Sequence, residues 1–348
     1  MQDVAEAAGV HRTTVSLALR DSPRLPVAKR EEIKRVAERL GYRPHPMVSA
    51  LMTARVSRRE PNHQATLAFI SVDKEVPPNW PDTDTTYGMM FRGARDRAQR
   101  RGYLLTPFWI GDPKLQGDRF ARFMAARNIH GLLIAPHFGP GNHIHLDWRR
   151  FTVVELGYNL SEPAFNRVVH DYYHSMQTVC AELRAAGHQR IGLLMPLHSD
   201  IKTHHLWAAA YLHFQSSLPP RERLSMHHPA HLTTANVRAW IRAERPDVIV
   251  IGGVLYPRPK SESQYFELPQ KQRYVSLNLV ERHESTPGIY QDHHLMGAIA
   301  ADQLISQLQR GDFGVPEQPM SLLVSGIWQG AERLAAKVAA ASAASVSE

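Results

Sequence analysis

The sequence predicts a small all-α helix-turn-helix head joined to an α/β core built from two doubly wound parallel-sheet subdomains. Three observations predict it. The first twenty residues, MQDVAEAAGVHRTTVSLALR, place small, apolar and glycine positions as two short helices around a tight turn require. From Thr66 onward, continuous apolar runs alternate with amphipathic helical stretches. That is the texture of parallel strands covered on both faces. The alternation then restarts at a second run, as two similar units with a cleft between them would.

In the head, Asp3 to Ala8 makes the first helix, with Val4, Ala5 and Ala8 as its inner face. Gly9 supplies the sharp turn, where a residue without Cβ takes φ > 0 at little cost. Val10 plugs the corner. His11 to Leu19 forms the second helix, which buries Val15 and Ala18 and turns Arg12, Thr13, Ser16 and Leu17 outward. A third helix runs from about Val27 to Leu40, its stripe of Ile33, Val36, Ala37 and Leu40 recurring at helical spacing. Gly41 stops it, and Pro44 and Pro46 prevent continuation. The stretch Met47 to Thr53 has room for one or two helical turns, too few to be stable alone in water.

In the core, TLAFISV, YLLTPFWI, GLLIAP and FTVVELGY read as strands, with helices through YGMMFRGARDRAQRRG and DRFARFMAARN. The second run begins with a helix in HSMQTVCAELRAAG. RIGLLMP, a helix near Leu206–Gln215, a helix ANVRAWIRAERP, DVIVIGG and YVSLNL follow, then a helix through GAIAADQLISQLQRG. The expected division is a head over residues 1–44, a hinge helix and linker over 45–63, and a core over 64–334. Within the core, one subdomain takes about 64–166 and 290–318, and the other about 167–289 and 319–334. The Ala/Ser-rich tail 335–348 lacks a heptad and is expected to fray.

Charge is distributed unevenly. Residues 1–60 hold twelve Lys/Arg against seven Asp/Glu, a net +5 of the chain's total +8. A basic head on a nearly neutral body is the footprint of a phosphate-binding module joined to something else. With 348 residues and 43% hydrophobic content, the body can bury a substantial core. The single cysteine, Cys180, excludes an intrachain disulfide and fits a buried thiol in a helix. No basic-then-apolar leader is present, and no apolar run reaches the roughly 18 residues a membrane span needs, so a cytoplasmic protein is expected.

The segments DVAEAAGVHRTTVSLALR, ERLGYRPHP, RGYLL, GHQRIGLL and GIYQDHHLMGAIAADQLI, followed by LLVSGIWQG, occur in this order along the whole chain. In this the chain resembles the lac-repressor (LacI/GalR) family of bacterial transcription regulators. The resemblance implies a homodimer that reads a palindromic operator in double-stranded DNA. It also implies a hinge helix entering the minor groove and a periplasmic-binding-protein-like core that takes a small effector.

Only a helix fits the major groove, and its first turns reach base edges. The DNA-facing candidates are therefore His11, Arg12, Thr13, Thr14, Ser16 and Leu17. Arg12 can pair with guanine or touch phosphate; both readings stay open. Leu17 stands where many relatives carry a polar reader, so contact with a thymine methyl is its alternative. Leu51 matches the family's hinge leucine, an apolar wedge into the minor groove, and Val48 and Met52 would pack against the partner hinge. Two departures stand out. The sequence starts inside helix one, without the Thr or Ser that usually caps it, and His11 occupies the position where relatives often place a serine cap.

An effector cleft needs a flat apolar surface and a few polar groups just past strand ends. The candidates are Asp73, Tyr87, His137, Trp207, Tyr256, Asn278 and Asp292, each of which can equally be a packing or surface residue. Trp207 and Asn278 fall near where sugar-responsive relatives carry an arginine and an aspartate. Loss of that bidentate cation argues against an ordinary free sugar or a carboxylate, and leaves room for a neutral ring held by stacking and amide bonds. A carbohydrate remains one candidate, and the ligand class stays open. Twenty histidines lack any HExxH or Cys/His framework, so no metal is expected, and no cofactor.

The reading is a dimeric, effector-controlled transcription regulator, which the resemblance implies to be a repressor. A cytoplasmic small-molecule binding protein with a weakened or non-specific head is the alternative. An enzyme is not expected: there is no GxSxG, no phosphate loop and no carboxylate pair at motif spacing.

Overall fold

The computed structural model describes residues 2–18, 25–40, 65–71, 85–110, 118–136, 146–158, 160, 162–253, 268–269, 271–282 and 286–330. They fall into two compact units, the first within residues 1–62 and the second from residue 63 onward. Each is described by itself.

The described residues of the first unit form three helices: α1 (Gln2–Ala7), α2 (Arg12–Ala18) and α3 (Val27–Arg39). Gly9 takes φ +58 in the turn between α1 and α2, and the Val10 N–H closes the turn onto the Ala5 carbonyl at 2.9 Å. Val4, Ala5, Val15, Ala18, Ile33, Val36 and Ala37 form one buried cluster, with Ala8, Val10 and Leu25 packed at its edge. The stripe read from the sequence is thus the core, with one exception. Leu40 is 49% exposed, because α1 and α2 have only six and seven residues and cover part of the thirteen-residue α3. The outer face of α3 carries Lys29–Glu32 and Lys34–Glu31 pairs, each worth little at a surface.

The second unit begins with β1 (Ala65–Ser71), α4 (Thr86–Arg100), β2 (Tyr103–Trp109), α5 (Asp118–Ala126), β3 (Gly131–Ile134), β4 (Thr152–Leu156) and β5 (Asn166–His170). It continues with α6 (Tyr172–Ala185), β6 (Ile191–Leu194), α7 (Leu197–Lys202), α8 (Leu206–Ser216), α9 (Thr234–Glu244), β7 (Val248–Ile251), β8 (Tyr274–Leu279) and β9 (Gly288–Tyr290). Last come α10 (His293–Arg310), β10 (Ser321–Val324) and β11 (Ile327–Gln329).

Two sheets result. The first has the order β10-β5-β4-β3-β1-β2 and every neighbour is parallel. The second has the order β11-β9-β8-β7-β6, in which β11 alone runs antiparallel to its neighbour. Helices cover both faces of the first sheet. One cluster joins α4 and α10 to Leu67, Phe69, Leu133 and Val154, and the other joins α5 to Ala68, Ile70, Leu132 and Val153. Alternate strand residues thus feed opposite cores, which is why these strands read as continuous apolar runs. In the second sheet α6 and α8 cover one face and α9 the other. Cys180 lies buried in the first of these, and burial pushes its thiol up to about 12.

The chain passes between the sheets three times: from β5 into α6, from β9 into α10, and from β10 into β11. This moves two of the boundaries expected from sequence. Residues 167–170 and 321–324 lie in the first sheet, not in the second subdomain, because NRVVH pairs between β4 and β10 through Leu156↔Val168 and Leu322↔Val168.

Two glycines decide how close α4 and α10 lie. A Cβ on Gly93 would stand 1.8 Å from the His294 carbonyl oxygen, and one on Gly297 would stand 1.9 Å from that of Met90. Asp302 of α10 then pairs with Arg97 of α4 and, at 3.3 Å, with Arg101 just past its end.

Candidate functional site

The outward face of α2 is built from its buried one. Val15 and Ala18 are locked among α1 and α3, which leaves His11, Arg12 and Thr13 exposed and Thr14 and Leu17 half-buried. His11 fills the capping position with its ring: Nδ1 lies 2.9 Å from Thr13 Oγ1 and accepts, at 3.4 Å, from the Thr13 N–H. A ring nitrogen thereby does what a serine hydroxyl does at a helix start. The side chain of Ser16, and Val48, Leu51 and Met52 altogether, lie outside the described residues.

In the second unit, the carboxyl ends of the parallel strands and the starts of the helices that follow them are the place for a ligand. In the first sheet β1 lies between β3 and β2, so the strand order reverses beside it. Three helix starts here are capped by the chain's own side chains: Thr85 on Gly88 N–H, Asp171 on His174 N–H and Asp292 on Leu295 N–H. Asp292, expected as a ligand contact, is thus the N-cap of α10.

Tyr87, in the first turn of α4, is half-buried, and its hydroxyl accepts from Lys202 Nζ at 3.1 Å. Asn278, near the end of β8, is half-buried and meets His293 Nε2 through Oδ1 at 3.1 Å. Trp207 differs from the expectation of a stacking plate: it is 3% exposed and packs in the core, edge-on to Tyr172 with ring centroids 5.0 Å apart. The cause is its place on α8, where Trp207, Ala208, Ala210, Tyr211 and Gln215 are the residues turned inward. Asp73, His137 and Tyr256 lie outside the described residues.

Sequence reasoning missed several side chains that the fold brings to this region. Tyr158, just past β4, stacks on His204 with centroids 4.0 Å apart, and the Arg167 guanidinium stands 5.3 Å from the Tyr158 ring. The fully buried Glu155 pins the segment that carries Tyr158 by accepting from the Leu160 and Phe165 N–H groups at 3.5 and 3.3 Å. Asp200, also buried, holds His205 Nδ1 at 2.6 Å, with His228 Nε2 3.1 Å from the same oxygen. The one signal for these in the sequence is the adjacency of His204 and His205, which counts there only toward a metal site that lacks a framework. Among the described residues no three or more His, Cys, Asp or Glu are arranged to hold a metal. Among them, too, no helix is long and apolar enough to cross a membrane.

Two histidines stand at the crossovers. His170 ends β5 and bonds Ser175 Oγ at 2.7 Å; His293 opens α10. Burial, with His293 beside it, pulls His170 down to about 3 against an opposing bond to the Val324 backbone. Burial, with Lys202, pulls His293 down to about 4 against Asp292. Both folded values lie below the ordinary 6.5, so the unfolded chain binds more protons as pH falls. The stability they contribute is complete above pH 6.5 and is lost on descent toward 4 and below. Melting temperatures between pH 7.5 and 4.5 are expected to fall with acid, and less steeply in His170→Asn and His293→Gln. Equal slopes in wild type and both variants would remove these two rings as a cause.

The comparisons with known proteins agree with this geometry. Residues 1–45 match the family described as "Bacterial regulatory proteins, lacI family". No curated protein matches the chain in sequence. Among solved structures, a LacI transcriptional regulator from Lactobacillus brevis is 14% identical, over 76% of this chain and 100% of that one, with a TM-score of 0.51. A LacI-family regulator structure from Rhizobium etli is 15% identical over 76% and 97%, with a TM-score of 0.52. The transcriptional regulator CelR in complex with cellobiose is 18% identical over 94% and 98%, with a TM-score of 0.48. The first 45 residues are thus a head of the lacI family, and the core has the fold of the Lactobacillus brevis and Rhizobium etli regulators.

Proposed function

We propose that the chain is a sequence-specific transcriptional regulator that binds a palindromic operator as a homodimer and answers to a small effector in the cleft between its two α/β subdomains. The observation that carries this reading is the recognition helix. Its inner residues are fixed in a packed head, and Arg12 and Thr13 are left to solvent at the end that enters a major groove. The net +5 of residues 1–60 supplies the phosphate attraction that such a helix needs. Leu51 would wedge the minor groove, with Val48 and Met52 against the partner hinge. Effector control requires the ligand to prefer one of two core arrangements, and it acts on DNA only by that difference in affinity. No residue in the cleft is proposed as catalytic, and a site in the cytoplasm fits the role.

Selection of bound sites from a random duplex library tests this, with the full chain at near-physiological salt. Enrichment of a palindrome with a flexible central step is the expected result. A folded chain that enriches nothing would favour the alternative of a small-molecule binding protein whose head binds DNA weakly or without sequence preference.

A further inference from the structure

The described contacts that bring the second subdomain onto Tyr87 and Tyr158 of the first both leave from one turn. That turn joins α7 to α8, from Lys202 to His205. His204 and His205 take φ +51 and +61, two successive non-glycine residues in the left-handed region. Such a backbone persists only where its surroundings over-determine it.

Here the surroundings are Asp200. The His205 N–H donates to the Asp200 carbonyl at 2.9 Å, and the His205 ring is 2.6 Å from the Asp200 carboxylate, which is itself buried. With His205 tied to its own subdomain, His204 faces the other one. Its ring lies on Tyr158 at 4.0 Å with 20° between the planes. Burial, with Arg167 and His205 acting the same way, holds the His204 imidazole below its ordinary value, which favours the neutral ring in the stack. At the start of the same turn, Lys202 Nζ donates to the Tyr87 hydroxyl at 3.1 Å and stands 5.3 Å from the ring centroid.

Tyr87 and Tyr158 belong to the first-sheet subdomain, one at the start of α4 and one past the end of β4. A single strained, anchored turn therefore grips the opposite subdomain at two separate points. A rotation about the three crossovers breaks both contacts together.

We propose that the turn Lys202–His205 is a latch that holds the two subdomains closed over the candidate effector cleft, and that the effector acts by engaging or releasing it. The proposal rests on the reading of that cleft as the effector site. Asp200 keeps the turn's shape from within its own subdomain, so the two tyrosine contacts form and break together and give the latch two states.

The test is a distance measurement by pulsed electron resonance on the full chain. Spin labels go on Ala125→Cys in α5 and Ala239→Cys in α9, both exposed, and the native Cys180 is buried. Labelled chains are diluted into unlabelled ones, so that each distance lies within one chain. The parent is expected to give one narrow distribution, and Tyr87→Phe combined with His204→Gly to add a longer one. His204→Gly removes the ring yet accepts φ +51 without strain, so on its own it is expected to keep or raise the melting temperature while it broadens the distribution. An unchanged distribution in the double variant overturns the latch. The measurement uses no effector, so its failure leaves the cleft reading standing, and a cleft that binds nothing leaves the latch measurable.

Discussion

Gly297→Ala and Gly93→Ala are each expected to lower the melting temperature of the core by roughly 5–10 °C, about 3 kcal/mol. Two effects compete at these positions. Alanine in the middle of a helix is favoured over glycine by about 1 kcal/mol, because it loses less backbone entropy. Against that, a Cβ at 297 would sit 1.9 Å from the Met90 carbonyl oxygen, and one at 93 would sit 1.8 Å from that of His294. Backbone cannot swing aside as a side chain can, so α4 and α10 must part by more than an ångström. The cluster they share includes the small residues Ala94, Ala98, Ala300 and Ala301, which have no reach with which to fill the gap. Packing therefore outweighs propensity, and the sign of the change is the test. A rise in melting temperature for either variant would mean that the two helices do not cross this closely. The contact also bears on function. The start of α4 carries Tyr87 and the start of α10 follows a crossover, so separating them moves the cleft and its latch together.

Much of this fold was legible because its strands are buried on both faces. TLAFISV, GLLIAP, FTVVELGY, RIGLLMP and DVIVIGG each yield a strand, since four to seven consecutive apolar residues between helices have few other places to go. The strands that went unread are those where this logic fails. NRVVH has polar ends and two valines, GIY has three residues, and SLLV is an edge strand that leaves Ser321 and Leu323 exposed. Their membership in a sheet depends on long-range pairing across the crossovers, which no local window contains. The head was legible almost residue by residue, because its helices are short and each inner position is dictated by the turn.

The cleft was far less so. Tyr87 and Asn278 stand near strand ends as their positions suggested, and Asn278 meets His293, a partner fifteen residues away. Trp207 turned inward because the spacing of α8 puts it on the side that faces α6. The roles of Tyr158, Lys202 and His204 were not legible because they follow from a left-handed pair of histidines. Sequence patterns give no warning of that backbone outside Gly and Asn.

Arg12→Ala is expected to weaken binding to the selected operator by about 10- to 100-fold while changing binding to random duplex little, if its guanidinium reads guanine. Arg12 is exposed on α2 and takes no part in the head's buried cluster, so its loss leaves the head folded, and an unchanged melting curve will show that. The alternative, a phosphate contact, makes a different forecast. Affinity would then fall alike for operator and random duplex, and the slope of log affinity against log salt would shrink by about one. Fluorescence anisotropy at several salt concentrations separates the two. Arg35, exposed on α3 and bonded to the Glu31 carbonyl, serves as a control whose removal subtracts a charge from the head without touching the recognition helix. The base-reading forecast has the stronger physical footing. The His11 ring caps α2 from within, as a serine would, so the first turn is ordered before DNA arrives. An arginine projecting from an ordered turn loses less freedom on reaching a base edge than one that must order its own helix in the complex.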